Sequence, residues 1–190
     1  MPAHKSAILG LALAGLLALV AFKVHEAASR RAAAGLAQSP LDPILLSGRA
    51  PDFSAPDREG MPLSLSDLRG RVVVLNFWFS DCAPCREEMP SLETLARRFA
   101  GRDVEFVALS VDPSWEKVDA FLASDPHLRG QRPTYRVLLD AQKSVPPRYG
   151  TFKYPETFLV DRDGALLARF VGPRNWAEPA AFELLETLLR

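Results

Sequence analysis

Two cysteines stand in a chain of 190 residues, three positions apart, in the run Asp81-Cys82-Ala83-Pro84-Cys85-Arg86. At helical spacing, positions i and i+3 share a face. That brings two sulfurs toward the Cα separation of about 5.5 Å that a disulfide favours. A pair so placed takes up and returns two electrons by making and breaking one S–S bond. The thiolate is the reactive form, and the free amide N–H groups of a helix N-terminus stabilise it. Cys82, where the helical pattern starts, is therefore read as the attacking sulfur and Cys85, one turn in, as the resolving sulfur. Pro84 suits a first helical turn, where its missing N–H costs nothing. Other chemistries fit less well. A structural zinc site takes four ligands, whereas the chain offers two cysteines and three scattered histidines, His4, His25 and His127. No metal is expected. Haem attachment would need a histidine after Cys85, and Arg86 stands there. Two unrelated buried thiols are the bland alternative.

The elements that must hold the pair are legible around it. Residues 72–79 are apolar except for Asn76, as a strand covered on both faces requires. Met89, Leu92, Leu95, Ala96 and Phe99 then recur at helical spacing, with Pro90 expected to kink the helix. Further on come a strand at 104–111, a helix carrying Val118, Phe121 and Leu122, a strand at 135–139 and a short helix or loop at 141–149. A hairpin turns at Asp163-Gly164, and a last helix carries Leu184, Leu185, Leu188 and Leu189 on one face. A small hairpin around residues 57–60 precedes all of this. These alternating strands and helices predict an α/β fold with a mixed central sheet flanked by helices.

Residues 78–90, Trp78-Phe79-Ser80-Asp81-Cys82-Ala83-Pro84-Cys85-Arg86-Glu87-Glu88-Met89-Pro90, resemble the active-site signature of the TlpA/ResA-type thioredoxin-like proteins. These are membrane-anchored thiol–disulfide oxidoreductases, and the likeness runs from about residue 48 to the C-terminus. Pro155-Glu156-Thr157-Phe158 resembles in particular the CcmG/DsbE branch, which serves cytochrome c maturation. The resemblance implies a thioredoxin-like fold with an N-terminal β-hairpin extension and an enzyme that reduces protein disulfides. Cys82 and Cys85 would be its catalytic thiols, with no cofactor beyond the disulfide they share. In thioredoxin the position of Asn76 holds a buried acid that moves protons for the resolving thiol, which an Asn cannot do. The resemblance gives that role to Glu88, three residues past Cys85 on the same helical face. A solvated helix carboxylate is the other reading of Glu88. Pro155 matches the cis-proline that faces the disulfide, leaving the Tyr154 backbone free to pair with an extended substrate. An ordinary trans proline at a strand start is the alternative. Glu156 is a second candidate acid, and Trp78, Tyr154, Pro155 and Glu156 make up the expected substrate-binding set. Asp81 departs from the pattern, since many relatives carry Trp there. A carboxylate beside the thiol opposes thiolate formation, with Arg86 expected to offset it in part. The implied clients are protein disulfides, apocytochrome c first, and the implied reductant is a membrane electron carrier of the DsbD/CcdA kind. A general periplasmic disulfide reductase is the near alternative. A redox sensor or peptide-binding module without turnover is the alternative from another class.

Twenty-three basic and 23 acidic residues leave no net charge, which removes the electrostatic case for nucleic acid. Two cysteines are too few for a disulfide-stapled scaffold. Residues 7–22 form an unbroken apolar run, roughly 24 Å long as a helix and slightly short of the ~30 Å hydrocarbon core. Lys5 and Lys23 can snorkel from its ends. Residues 1–25 are read as a signal-anchor that makes a single pass, with a cleaved signal peptide as the alternative. Lysine and arginine lie on both sides of the run, so charge alone does not orient it. The resemblance places the catalytic domain in the periplasm or otherwise outside. Residues 26–47 read as an Ala-rich linker and 48–190 as the thioredoxin-like domain, expected to act as a monomer.

Overall fold

The computed structural model describes residues 16–20, 23, 33–128 and 130–190. The run expected as an anchor lies mostly outside the described residues; its described part, residues 16–20, is helical and exposed. Among the described residues no helix is long and apolar enough to cross a membrane.

The strands are β1 (Ile44–Leu45), β2 (Ser54–Pro56), β3 (Pro62–Ser64), β4 (Val72–Trp78), β5 (Val104–Ser110), β6 (Arg136–Leu139), β7 (Glu156–Val160) and β8 (Leu166–Val171). Three α-helices follow β4, β5 and β8: α1 (Ala83–Arg98), α2 (Trp115–Ser124) and α3 (Pro179–Leu189). Six strands form one mixed sheet in the order β1-β8-β7-β4-β5-β6, and β2 pairs with β3 in a separate hairpin. β4, β5 and β6 are parallel, while β7 runs antiparallel to both β4 and β8. The chain thus steps in one direction through β4-α1-β5-α2-β6. Right-handed crossovers then place α1 and α2 on the same face, and α3 returns to that face as well.

All seven positions of β4 are buried, and their alternation sorts the two faces. Val72, Val74 and Trp78 join Leu92 of α1, Phe121 of α2 and Leu185 of α3 in one core. Val73, Leu75 and Phe77 join Phe53, Tyr149 and Phe158 in the other. In that second core the rings of Phe77, Tyr149 and Phe158 meet edge to face at centroid distances of 5.3, 5.6 and 5.1 Å. Burying one such side chain stabilises the fold by about 1.5–3 kcal/mol. This second face is covered by the β2-β3 hairpin and two short 3-10 helices, Leu65–Leu68 and Pro146–Tyr149. Pro90 lies inside α1, which continues past it to Arg98.

The folded unit begins before residue 48. Leu36 and Leu41, in the stretch read as a linker, are 1% and 4% exposed and belong to the helical core. A Cβ at Gly35 would come within 3.1 Å of Thr187 on α3. Ile44 and Leu45 pair with Arg169 and Ala168 and so extend the sheet past β8. Ala-rich composition conceals these few anchoring residues, because a linker and a strap over a core differ only in which rare side chains find a pocket.

Candidate active site

β4 ends and α1 begins within a few residues, and that junction carries the thiols. Cys82 is the N-cap of α1 and Pro84 lies in its first turn. The Cys85 N–H donates to Cys82 Sγ at 3.2 Å, and the Arg86 N–H donates to the Cys82 carbonyl at 3.0 Å. The two sulfurs are bonded at 2.05 Å, with 5.2 Å between the Cα atoms. Cys82 keeps 5% of its surface and Cys85 none. An incoming disulfide therefore meets Cys82, at the end of the helix where partial positive charge gathers.

The loop before Cys82 is tied down from β5. Asp112 accepts the Ser80 N–H at 2.9 Å, the Ser80 hydroxyl at 2.8 Å and the Ser110 hydroxyl at 2.7 Å, all buried. Asp81 itself is exposed and pairs with Lys117 of α2 at 3.0 Å. Lys117 thus compensates the carboxylate beside the thiol. Arg86, expected in that part, sends its guanidinium to the Ser80 carbonyl at 3.4 Å and over the Phe121 ring at 5.1 Å.

Glu88 is not a solvated helix carboxylate, being 2% exposed. Its Oε1 accepts from the Trp176 indole N–H at 2.6 Å and from the Arg174 amide at 3.2 Å. Its Oε2 accepts from Asn76 Nδ2 at 3.1 Å. Burial pushes the carboxyl up to about 7, against the pull of these three donors and the Arg174 guanidinium. Asn76 also donates to Thr157 Oγ1 at 2.9 Å, so the strand residue that breaks the apolar run links β4, β7 and α1. A carboxyl that titrates near neutrality, one turn from a buried thiol on one helical face, can take and return that thiol's proton.

The Tyr154–Pro155 peptide bond is cis. The β4-β7 register, continued one step past Phe77 and Glu156, sets Pro155 beside Trp78 at the thiol end of the sheet. Tyr154 packs edge-on against Phe79 at 5.5 Å, and Phe152 beside it is 73% exposed.

Two residues of the expected substrate-binding set have no surface for a substrate. Trp78 is fully buried against Phe121, with ring centroids 4.9 Å apart. Its even position in β4 turns it into the helical core. Glu156 is also fully buried, and it pairs with Phe77, which puts it on the opposite face from Glu88. Burial raises its carboxyl as well, with Thr151, Arg169 and the Phe152 backbone pulling the other way. Among the described residues no donor meets either of its oxygens in good hydrogen-bond geometry.

A Cys-x-x-Cys pair at the start of a helix, facing a cis-proline across a mixed sheet, defines the thioredoxin-like thiol–disulfide oxidoreductases. The chain belongs to the Redoxin family, whose model matches residues 46–185, and is a thioredoxin-like enzyme of the ResA/DsbE type. It is 33% identical to the thiol-disulfide oxidoreductase ResA of Bacillus thuringiensis (strain Al Hakam) over 66% of this chain and 69% of that one. It is 36% identical to the thioredoxin-like protein YneN of Bacillus subtilis (strain 168), covering 65% of this chain and 70% of that one. Among solved structures it is similar to a putative thiol:disulfide interchange protein DsbE from Chlorobium tepidum. There the TM-score is 0.68 at 32% identity, over 77% of this chain and all of the other.

Proposed function

We propose that the enzyme is an extracytoplasmic disulfide reductase that serves cytochrome c maturation, held at the membrane by residues 1–25. In the reducing direction Cys82 thiolate attacks a client disulfide and forms a mixed disulfide. Glu88 takes the Cys85 proton, Cys85 attacks Cys82, and the client leaves with its cysteines reduced. A membrane dithiol donor of the DsbD/CcdA kind then restores the Cys82–Cys85 pair. The Tyr154 backbone beside Pro155 and the exposed Phe152 are suited to an extended polypeptide, and the pair itself carries the electrons without a further cofactor. The observation that carries the reading is the asymmetry of the pair: Cys82, the one with some surface left open, on a helix N-terminus, and Cys85 fully enclosed on the face that holds Glu88. The likeness of residues 155–158 to the CcmG/DsbE branch supports the choice of client, as does the similarity to the putative DsbE protein of Chlorobium tepidum.

Expressing Cys85→Ala in the native cell leaves clients bonded to Cys82. Recovery of cytochrome c precursors is the expected result. Recovery of many unrelated exported proteins would replace this client with general disulfide reduction. A variant that traps nothing would refute turnover on protein disulfides.

A further inference from the structure

The loop between β8 and α3 reaches across to α1 and meets it at one carboxylate. Trp176 is buried, its ring edge-on to Phe170 at 5.1 Å. Ser91 fixes the loop: its hydroxyl oxygen accepts the Trp176 N–H at 3.0 Å, and it lies 2.7 Å from the Glu88 carbonyl and 3.3 Å from the Arg174 carbonyl. The Arg174 guanidinium turns outward, to the carbonyls of Leu41 at 2.7 Å and Val171 at 3.1 Å. Its amide and the Trp176 indole are left to converge on Glu88 Oε1.

The two oxygens of Glu88 are therefore unequal. Oε1 is occupied by two N–H donors, which favours negative charge and disfavours an added proton. Oε2 receives one donor, the neutral amide of Asn76. We propose that Trp176 is a positioning residue for thiol–disulfide exchange: by holding Oε1 it presents Oε2 as the atom that exchanges a proton with Cys85. This rests on the reading of Glu88 as the proton acceptor. In the resolving step the Cys85 S–H proton passes to Oε2 and the Cys85 sulfur bonds to the Cys82 sulfur. The bond from Cys82 to the client sulfur breaks, and its electron pair leaves on that sulfur, which takes a proton from water. The groups that bear on Glu88 are Cys85 on its own helix, Asn76 from β4 with Thr157 of β7 behind it, and Trp176 and Arg174 from the loop. Of these only Arg174 is charged, and it draws the carboxyl down against the larger effect of burial.

The test uses the full chain, reduced and then mixed with Ellman's reagent. The first thionitrobenzoate released reports attack by Cys82, and the second reports resolution by Cys85. The wild-type second phase should rise with a midpoint near 7, where burial places the Glu88 carboxyl. Trp176→Phe removes one charge-assisted hydrogen bond and should move that midpoint up by about one pH unit, leaving the first phase in place. Glu88→Gln should abolish the midpoint. If Glu88→Gln leaves the profile unchanged, the proton-acceptor reading itself fails. If Glu88→Gln removes the midpoint and Trp176→Phe does not move it, only the positioning role is lost. Should Trp176→Phe not fold, the wild type decides alone: the ¹⁵N–H resonance of the Trp176 indole in the reduced protein should titrate with the midpoint of the second phase. A resonance that stays flat across the neutral range overturns the proposal.

Discussion

Glu88 and Glu156 stand near the same end of the same sheet, both buried, both with carboxyls raised by desolvation. Glu88 is met by three donors from two separate segments, β4 and the β8-α3 loop. Glu156, on the other face, has none in good geometry among the described residues. Burial alone thus makes a carboxyl reluctant to ionise; what makes it useful is a shared face with the thiols and donors that fix its oxygens. A perturbed carboxyl marks a candidate site, and on the proposed mechanism geometry selects Glu88 over Glu156.

On the proposed mechanism, all exchange chemistry lies on the α1 face. Cys82→Ser should end turnover of a disulfide substrate, a loss of at least about a thousandfold, with the fold kept by circular dichroism. Turnover that survives would move the chemistry elsewhere. Next in size, Glu88→Gln should slow the resolving step by about a hundredfold, whereas Glu156→Gln should stay within about threefold of wild type. Equal losses from both would erase the distinction.

Stability gives a third cut. The unfolded chain releases the Glu88 proton near 4.5, while the folded protein keeps it to about 7. Between those values the folded state binds more protons, so stability is full below the lower one and declines as pH rises through the upper, by about 3 kcal/mol from this group. Urea denaturation on either side of that window measures it, and Glu88→Gln should flatten the fall. The smallest effect belongs to the exposed Lys117–Asp81 pair. Lys117→Ala should leave the melting temperature unchanged and slow alkylation of reduced Cys82 by no more than about threefold at neutral pH. A larger effect would mean that the loop before Cys82 depends on α2 as well as on Asp112.

What was legible in the sequence was local or periodic. The Cys spacing, the covered strand, the helix that opens on Cys82 and the place of Glu88 one turn beyond Cys85 all follow from neighbours in the chain. The contacts that give those residues their properties do not. Trp176 reaches Glu88 from 88 positions away and Lys117 reaches Asp81 from 36, with no spacing signal to announce either. Trp78 was nearer to hand. Its parity with Val72 and Val74 turns it inward, and alternation along the strand would have removed it from the substrate-binding set. The face of Glu156 follows only once β7 is known to pair with β4 through Phe77.

That same alternation makes one short passage intolerant of indels. Delete a single residue between Val72 and Asn76 and the amide that meets Glu88 swings into the aromatic layer of Tyr149, while a phenyl ring takes its place beside Glu88. Homologues should accordingly differ freely in length around residues 126–133 and hardly at all from Val72 to Cys85, whatever client each one serves.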